Sequence, residues 1–384
     1  MASADGDRGT RLREVAALFG RLGTTAFGGP AAHVSMMEEE VVGRRRWLSR
    51  EQFLDMVGAT NLIPGPNSTE LAIHIGYARA GMRGLVVAGS CFILPAAAMT
   101  LGIAWAYVRF GALPQVSTFL YGVKPVITAI VLLAVWRLAR TAIRSVALAV
   151  LAAAAVAASA LGAHELLVLL GGGVAAMLAA SRKTAGRDLS GLLIGKMGVP
   201  VASAAVAGAA VAPFSLAALF LFFLKIGSVL FGSGYVLLAF LRADLVERWH
   251  WLTNAQLLDA IAVGQFTPGP VFCTATFVGY LLGGTPGAAL ATLGIFLPAF
   301  VFVALSGLVL PRLRRSPRAG AFLDGLNAAS LALMAVVSWQ LARTALPDWR
   351  AAALGAAAVL GLRLRVNSAW LVLGGGLAGH FLAP

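Results

Sequence analysis

The chain has 384 residues, of which 59% are hydrophobic and 12% charged, with a mean hydropathy of +0.85 and a formal net charge of +14. Several apolar runs approach or exceed the roughly 20 residues needed to cross a bilayer, which excludes a soluble globular domain; the runs are continuous and rich in Ala, Leu and Gly, which excludes a transmembrane β-barrel. The cations are scattered over short loops instead of forming one basic block, so they point to membrane topology and not to nucleic acid, and Cys91 and Cys273 are too far apart to suggest a disulfide framework or a zinc site.

The first predicted element is an apolar helix that breaks at "FGGP" (27–30) and carries Arg21 near its middle. A cleavable signal peptide is a poor reading of it, because of that arginine and because the segment recurs later in the chain. The charged run "EEEVVGRRRW" follows and reads as a solvated, interfacial helix face with an aromatic anchor. A second helix breaks at "PGP" (64–66). Four long apolar helices complete the unit, at about 84–108, 116–136, 146–161 and 164–181.

The same order is then written again. "FGRLGTTAFGGP" (19–30) returns as "FLKIGSVLFGSG" (223–234), a spacing of 204 at which Trp47 meets Trp251, Asp55 meets Asp259 and PGP at 64–66 meets PGP at 268–270. One residue is then lost. At a spacing of 203, Gly76-Tyr77 meets Gly279-Tyr280, Leu94-Pro95 meets Leu297-Pro298, "WRLARTAI" from Trp136 meets "WQLARTAL" from Trp339, and "GGG" at 171–173 meets "GGG" at 374–376. Register held over such a length is a true internal repeat. The expected division is a first repeat at 12–181, a polar linker with a topology-inverting helix at 182–214, and a second repeat at 215–383.

Charge orients the halves. Arg44, Arg45, Arg46, Arg50, Arg79 and Arg83 precede the first long helix of the first half, where the second half places Arg248. After that helix the bias reverses, with Arg109 set against Arg312, Arg314, Arg315 and Arg318, and Arg363 and Arg365 agree. Arg343 and Arg350 are a mild exception. Equivalent loops are therefore expected on opposite faces, with 199–212 supplying the odd crossing. The expected fold is an all-α polytopic membrane protein: two homologous halves in inverted topology, with Pro/Gly-broken half-helices near the midplane.

Broken helices at membrane depth leave backbone groups that a substrate can use. After "PGP" the amides of Asn67, Ser68 and Thr69 are expected to point into a pocket, with Gly65 permitting the turn; a helix N-terminus of this kind attracts anions. The second copy offers Gly269, the amides of Val271 and Phe272, and the side chains of Cys273, Thr274 and Thr276. Gly28, Gly29 and Gly232 lie at the other two breaks. The alternative is that PGP merely kinks a helix. Arg21 and Lys225 are repeat equivalents inside apolar helices, where a cation faces a cavity or a partner unless it snorkels to the interface. Lys124 is a third such cation, although its equivalent is Asn327. Glu70 either complements the helix dipole or carries a proton. His33 and His74 titrate in a useful range or serve as structural hydrogen-bonding groups. Asp55 and Asp259 read as packing bonds in preference to coupling groups. No Ser-His-Asp, HExxH, Walker A or paired-cysteine arrangement is present, so no enzyme, cofactor or metal site is expected.

"FGGPAAH" (27–33), "WLSREQFLD" from Trp47, "PGPN" from Pro64, "FGSGYV" from Phe231, "GQFTPGPVF" from Gly264 and "GIFLP" from Gly294 together resemble the chromate ion transporter family, in its long, two-repeat form. Cys273 departs from the pattern, which has Thr there. The resemblance implies a multi-pass protein of a bacterial or archaeal plasma membrane that exports chromate, a tetrahedral dianion like sulfate, using the membrane potential or proton gradient. The residues by themselves reach an anion transporter and not chromate. Transport of sulfate or another oxyanion, an uncoupled anion channel, and an oxyanion-binding membrane protein that does not transport stay open. The expected partners are chromate or a sulfate-like oxyanion and the lipid bilayer, with a homodimer as a candidate assembly and nucleic acid excluded.

Overall fold

The structure, a computed structural model, describes residues 2–27, 29–111, 113–185, 213–231, 236–314, 316–364 and 366–383. These residues are helical and contain no strand. The linker core at 186–212, with the expected extra crossing, and Gly28 and Gly232 lie outside the described residues.

The first half comprises α1 (Ala2–Thr25), α2 (Gly29–Glu38) running into a π-helical turn (Glu39–Arg44), α3 (Arg50–Thr60), α4 (Asn67–Phe110), α5 (Pro114–Ala142), α6 (Val146–Ala160) and α7 (Glu165–Ala185). The second comprises α8 (Leu216–Val229), α9 (Leu237–Phe240) running into a π-helical turn (Leu241–Arg248), α10 (Asn254–Phe266), a 3₁₀ turn (Val271–Cys273), α11 (Thr274–Arg314), α12 (Pro317–Ala345), α13 (Trp349–Arg363) and α14 (Ser368–Leu382). The repeat extends to local chemistry. Ser49 with Gln52 and Thr253 with Gln256 form capping boxes that start α3 and α10, each satisfying two amides that a helix start leaves without partners.

The expected helix at 84–108 is one arm of a longer hairpin. α4 reverses at Ala80 (φ −142°, ψ 21°) and Gly81 (φ 64°, ψ −151°), and α11 at Gly283 (φ −141°, ψ 21°) and Gly284 (φ 60°, ψ −153°). The second residue of each turn has a left-handed φ, which glycine adopts without a Cβ clash. The reversal brings Gly76 against Gly84 and Gly279 against Gly287, so closely that a Cβ would strike the facing carbonyl. A short arm therefore runs from each PGP break to the turn, and a long arm returns across the molecule.

The halves are intertwined. Within each half, Gly23 of α1 packs on the Phe92 carbonyl of α4 and its equivalent Gly227 of α8 on that of Ile295 in α11, while between the halves helices cross as closely. Gly122 of α5 meets Gly375 and Gly379 of α14, while the repeat-related Gly325 of α12 meets Gly172 of α7. Small residues permit such close helix approach in a membrane, where apolar surface alone does not drive helices together. The end of α5 (Leu138, Ala142) shares a cavity with the start of α12 (Gly320, Asp324), and Tyr121 near the start of α5 donates to Asp348 just beyond α12, at 2.7 Å. α5 and α12, which are repeat equivalents, thus run antiparallel. Phe19, Phe53, Phe92, Phe223, Phe240, Phe272 and Phe277 are fully buried, whereas Trp105, Trp136, Trp339 and Trp370 stand exposed on the outer surface, as aromatic side chains of membrane proteins do at the lipid interface. Among the described residues, four helices are long and apolar enough to cross a membrane: Asn67–Phe110, Gln115–Ala142, Val271–Ser306 and Pro317–Ala345. The segments expected at 146–161 and 164–181 form apolar helices below that length.

Candidate functional site

Each PGP break is closed by the opposite half. α1 and α8 end without regular partners for their last carbonyls, a cost that must be met by some donor. The Gly65 amide donates to the Leu230 carbonyl at 2.8 Å, and the Gly269 amide donates to the Ala26 carbonyl at 2.9 Å. Gly65 and Gly269 are repeat equivalents, and so are Leu230 and Ala26. The glycines leave room for this approach: a Cβ on Gly65 would strike the Glu70 carboxylate, and one on Gly269 the side chain of Ala96. The two breaks are therefore one interlocked feature at the interface of the halves.

Beyond the first break, Pro66 supplies the N-cap carbonyl, which accepts from the amides of Thr69 (2.7 Å) and Glu70 (3.0 Å). This corrects the expectation of three free amides, because the tight first turn uses that of Thr69. The amides of Asn67 and Ser68 have no acceptor among the described residues. The Asn67 side chain donates to Asn61 at 2.8 Å across the break. Ser68, Thr69 and Glu70 are buried, and the Thr69 hydroxyl and both Glu70 carboxylate oxygens lack a hydrogen-bond partner among the described residues. In the second copy the Cys273 amide donates to Pro270, the Thr274 hydroxyl donates to Val271, and the Thr276 hydroxyl pairs with Thr292 at 2.7 Å. Buried Cys273 occupies the core below them. His33 lies with Nε2 3.1 Å from the Ala26 carbonyl, beside the Gly269 amide. Gly29 starts α2 with φ 78°, and His74 is half-buried on the short arm of α4.

The cations expected inside apolar helices are paired in register with the repeat. Arg21 reaches Glu40 at 2.7 Å and Lys225 reaches Asp244 at 2.7 Å, with Glu40 and Asp244 themselves 204 residues apart. Each acid also holds the arginine one turn on, Arg44 at 3.1 Å and Arg248 in the other copy. The carboxylates are the buried members, 10% and 1% exposed against 49% for Arg21 and 33% for Lys225. Glu40 thus departs from the solvated face expected for its segment. The signal that would have found both acids is the spacing of 204 that relates their basic partners. Lys124 pairs with Asp259 at 3.2 Å, and Tyr107 donates to the same carboxylate at 2.8 Å. Asp55, the equivalent of Asp259, is exposed on α3.

A cavity of about 420 Å³ adjoins the first break. It is lined by Asn61, Arg144, Asp324, Asn327 and Ser330, with Val236 beyond the break that ends α8. A second cavity, of about 580 Å³, borders the other two breaks through Phe27, Thr267 and Pro268 and is largely apolar, with Trp370 at its side. Except for Asn327, noted as the counterpart of Lys124, the polar lining was not legible beforehand. It is assembled by the antiparallel meeting of α5 and α12, which no local motif encodes.

The family model described as chromate transporter matches residues 13–177 and 217–380, once in each half. A chromate transport protein of Cupriavidus metallidurans is 31% identical over 97% of this chain and 94% of its own length. One of Pseudomonas aeruginosa is 31% identical over 96% of this chain and 92% of its own. An uncharacterized transporter of Methanocaldococcus jannaschii is 25% identical over 75% and 74% of the two chains. No solved structure matches the chain.

Proposed function

This chain belongs to the chromate transporter family, a family of transport proteins and not of enzymes, and from that premise we propose that it is a multi-pass secondary transporter that exports chromate across a bacterial or archaeal plasma membrane. The observation that carries the reading is the reciprocal closure of the two PGP breaks beside a polar cavity. Irregular backbone at membrane depth persists where it is buried in protein or lines a wet cavity, and both conditions meet here. The amides of Asn67 and Ser68 open the short arm of α4, whose helix dipole favours an anion. Asn61 and Arg144 in the adjoining cavity supply further donors. Arg21 and Lys225 are the repeat-related cations that a dianion would meet in each half.

The antiparallel run of α5 and α12 supports an inverted-topology repeat, in which one half rocks against the other about the shared breaks. A cell potential that is negative inside favours exit of a dianion by about 2.3 kcal/mol per charge per 100 mV. The membrane potential or the proton gradient then supplies the driving force. Flux into liposomes containing the purified protein tests the reading, comparing chromate, sulfate and molybdate with and without a pH gradient. Saturable flux that prefers chromate is expected. Flux that never saturates would make it a channel, preference for sulfate would reassign the substrate, and no flux would end the transport reading.

A further inference from the structure

Tyr107, Lys124 and Asp259 come from α4, α5 and α10 and meet inside the helical bundle. The Tyr107 hydroxyl donates to Asp259 Oδ2 at 2.8 Å, and Lys124 Nζ lies 3.2 Å from Oδ1. The Asp259 side chain is 4% exposed and that of Lys124 23%, so the ammonium and not the carboxylate meets the surroundings. These are the titratable groups that reach Asp259. From α11, Phe277 stacks edge-on against the Tyr107 ring at 5.2 Å, and α12 and α14 bring no charged partner to Asp259 among the described residues.

The repeat equivalent of Lys124 is Asn327, which lines the cavity beside the first break, and that of Asp259 is Asp55, exposed on α3. A buried ion pair is a weak source of stability, and ionisable groups inside membrane segments mark ion paths. Lys124 thus stands at the position whose repeat equivalent, Asn327, lines the cavity, and a carboxylate from the other half joins it there.

We propose that Lys124 and Asp259 form an exchange site in which Lys124 holds the Asp259 carboxylate when the route is empty and the tetrahedral oxyanion when Asp259 has taken up a proton. This deepens the transport reading and rests on it. Asp259 takes its proton from the solution on the loading side, the freed ammonium pairs with chromate, and proton and anion leave together as the ion pair re-forms. Each cycle then moves one net negative charge, so the membrane potential drives exit and an inward proton gradient opposes it.

Proteoliposomes containing the full chain and a pH-sensitive dye, given chromate under a clamped potassium diffusion potential, test the proposal. The wild type is expected to move one proton with each chromate, in the same direction. Asp259→Asn is expected to cut chromate-linked proton movement at least tenfold, and Lys124→Gln to raise half-saturating chromate at least tenfold. Should Asp259→Asn fail to insert, the double variant Lys124→Asn/Asp259→Asn removes both charges together, leaves neither buried alone, and carries the same proton measurement. Chromate movement without proton movement in the wild type, or unchanged proton coupling in the variants, overturns the exchange site while leaving the transport reading intact. No chromate movement in the wild type overturns both.

Discussion

The amide of Gly65 is bonded to the carbonyl of Leu230, 165 positions further along the chain, at 2.8 Å, and the repeat reproduces the bond from Gly269 to Ala26 at 2.9 Å. A proline-glycine-proline break in isolation exposes polar backbone, and so does a helix that stops inside an apolar layer. Here each defect satisfies the other. The bonds cross between the halves, so any motion of one half against the other acts on them directly.

Substitution at the break therefore separates geometry from side-chain chemistry. Gly65 has φ 138°, and a side chain there would meet the Glu70 carboxylate as well as the backbone strain, on the order of 1–3 kcal/mol. Gly65→Val is expected to abolish chromate binding, and Gly269→Val to behave alike. Ser68→Ala removes one hydroxyl, worth about 0.5–1.5 kcal/mol, and should weaken binding modestly. Chromate affinity of purified, folded variants checks the order; near-normal binding by Gly65→Val would place the anion elsewhere.

The two ion clusters, around Glu40 and around Asp244, differ in depth. Asp244 is 1% exposed and Glu40 10%, and the partner of Glu40, Arg21, is half exposed and screened by solvent. Asp244→Asn removes the carboxylate that holds Lys225 and leaves Arg248 with Glu165 alone, and should cost up to about 3–5 kcal/mol. Glu40→Gln should cost less. Thermal unfolding in detergent measures both, and equal losses would contradict the difference in burial. In flux assays Arg21→Ala and Lys225→Ala should each impair transport strongly, while Arg21→Lys should restore part of it, since Lys offers a point charge in place of a planar fork.

Close helix crossing sets a third expectation. Gly122 touches the backbone of Gly375 and Gly379, and Gly325 that of Gly172. Gly122→Val and Gly325→Val should each force apart helices from different halves and reduce the yield of monodisperse protein severalfold. Gly320→Val, at a position open to its surroundings, serves as the control in size-exclusion chromatography.

Topology is tested by single cysteines. Leu113 and Ser316 are equivalent residues that precede α5 and α12, and these helices run antiparallel. Leu113→Cys and Ser316→Cys should react with a membrane-impermeant thiol reagent from opposite sides of oriented vesicles. Labelling of both from one side would defeat the inverted repeat.

Hydropathy, repeat spacing and the Pro/Gly breaks are properties of neighbouring residues, so the amino-acid sequence alone determined the all-helical membrane class, the two halves and the places where helices stop. It also singled out Arg21, Lys225 and Lys124 as costly intramembrane cations. It did not reveal what neutralises them. Glu40 read as one charge in a solvated run, and Asp259 lies on α10, far along the chain from Lys124 on α5. The hairpin turns at Gly81 and Gly284 were hidden for a related reason, since an apolar run looks alike whether it continues or doubles back, and one left-handed φ decides between them. Tertiary structure decided the rest because a carboxylate becomes the partner of a cation, and a glycine amide the partner of a broken helix, when packing excludes water and leaves each no other way to meet its charge or hydrogen bond.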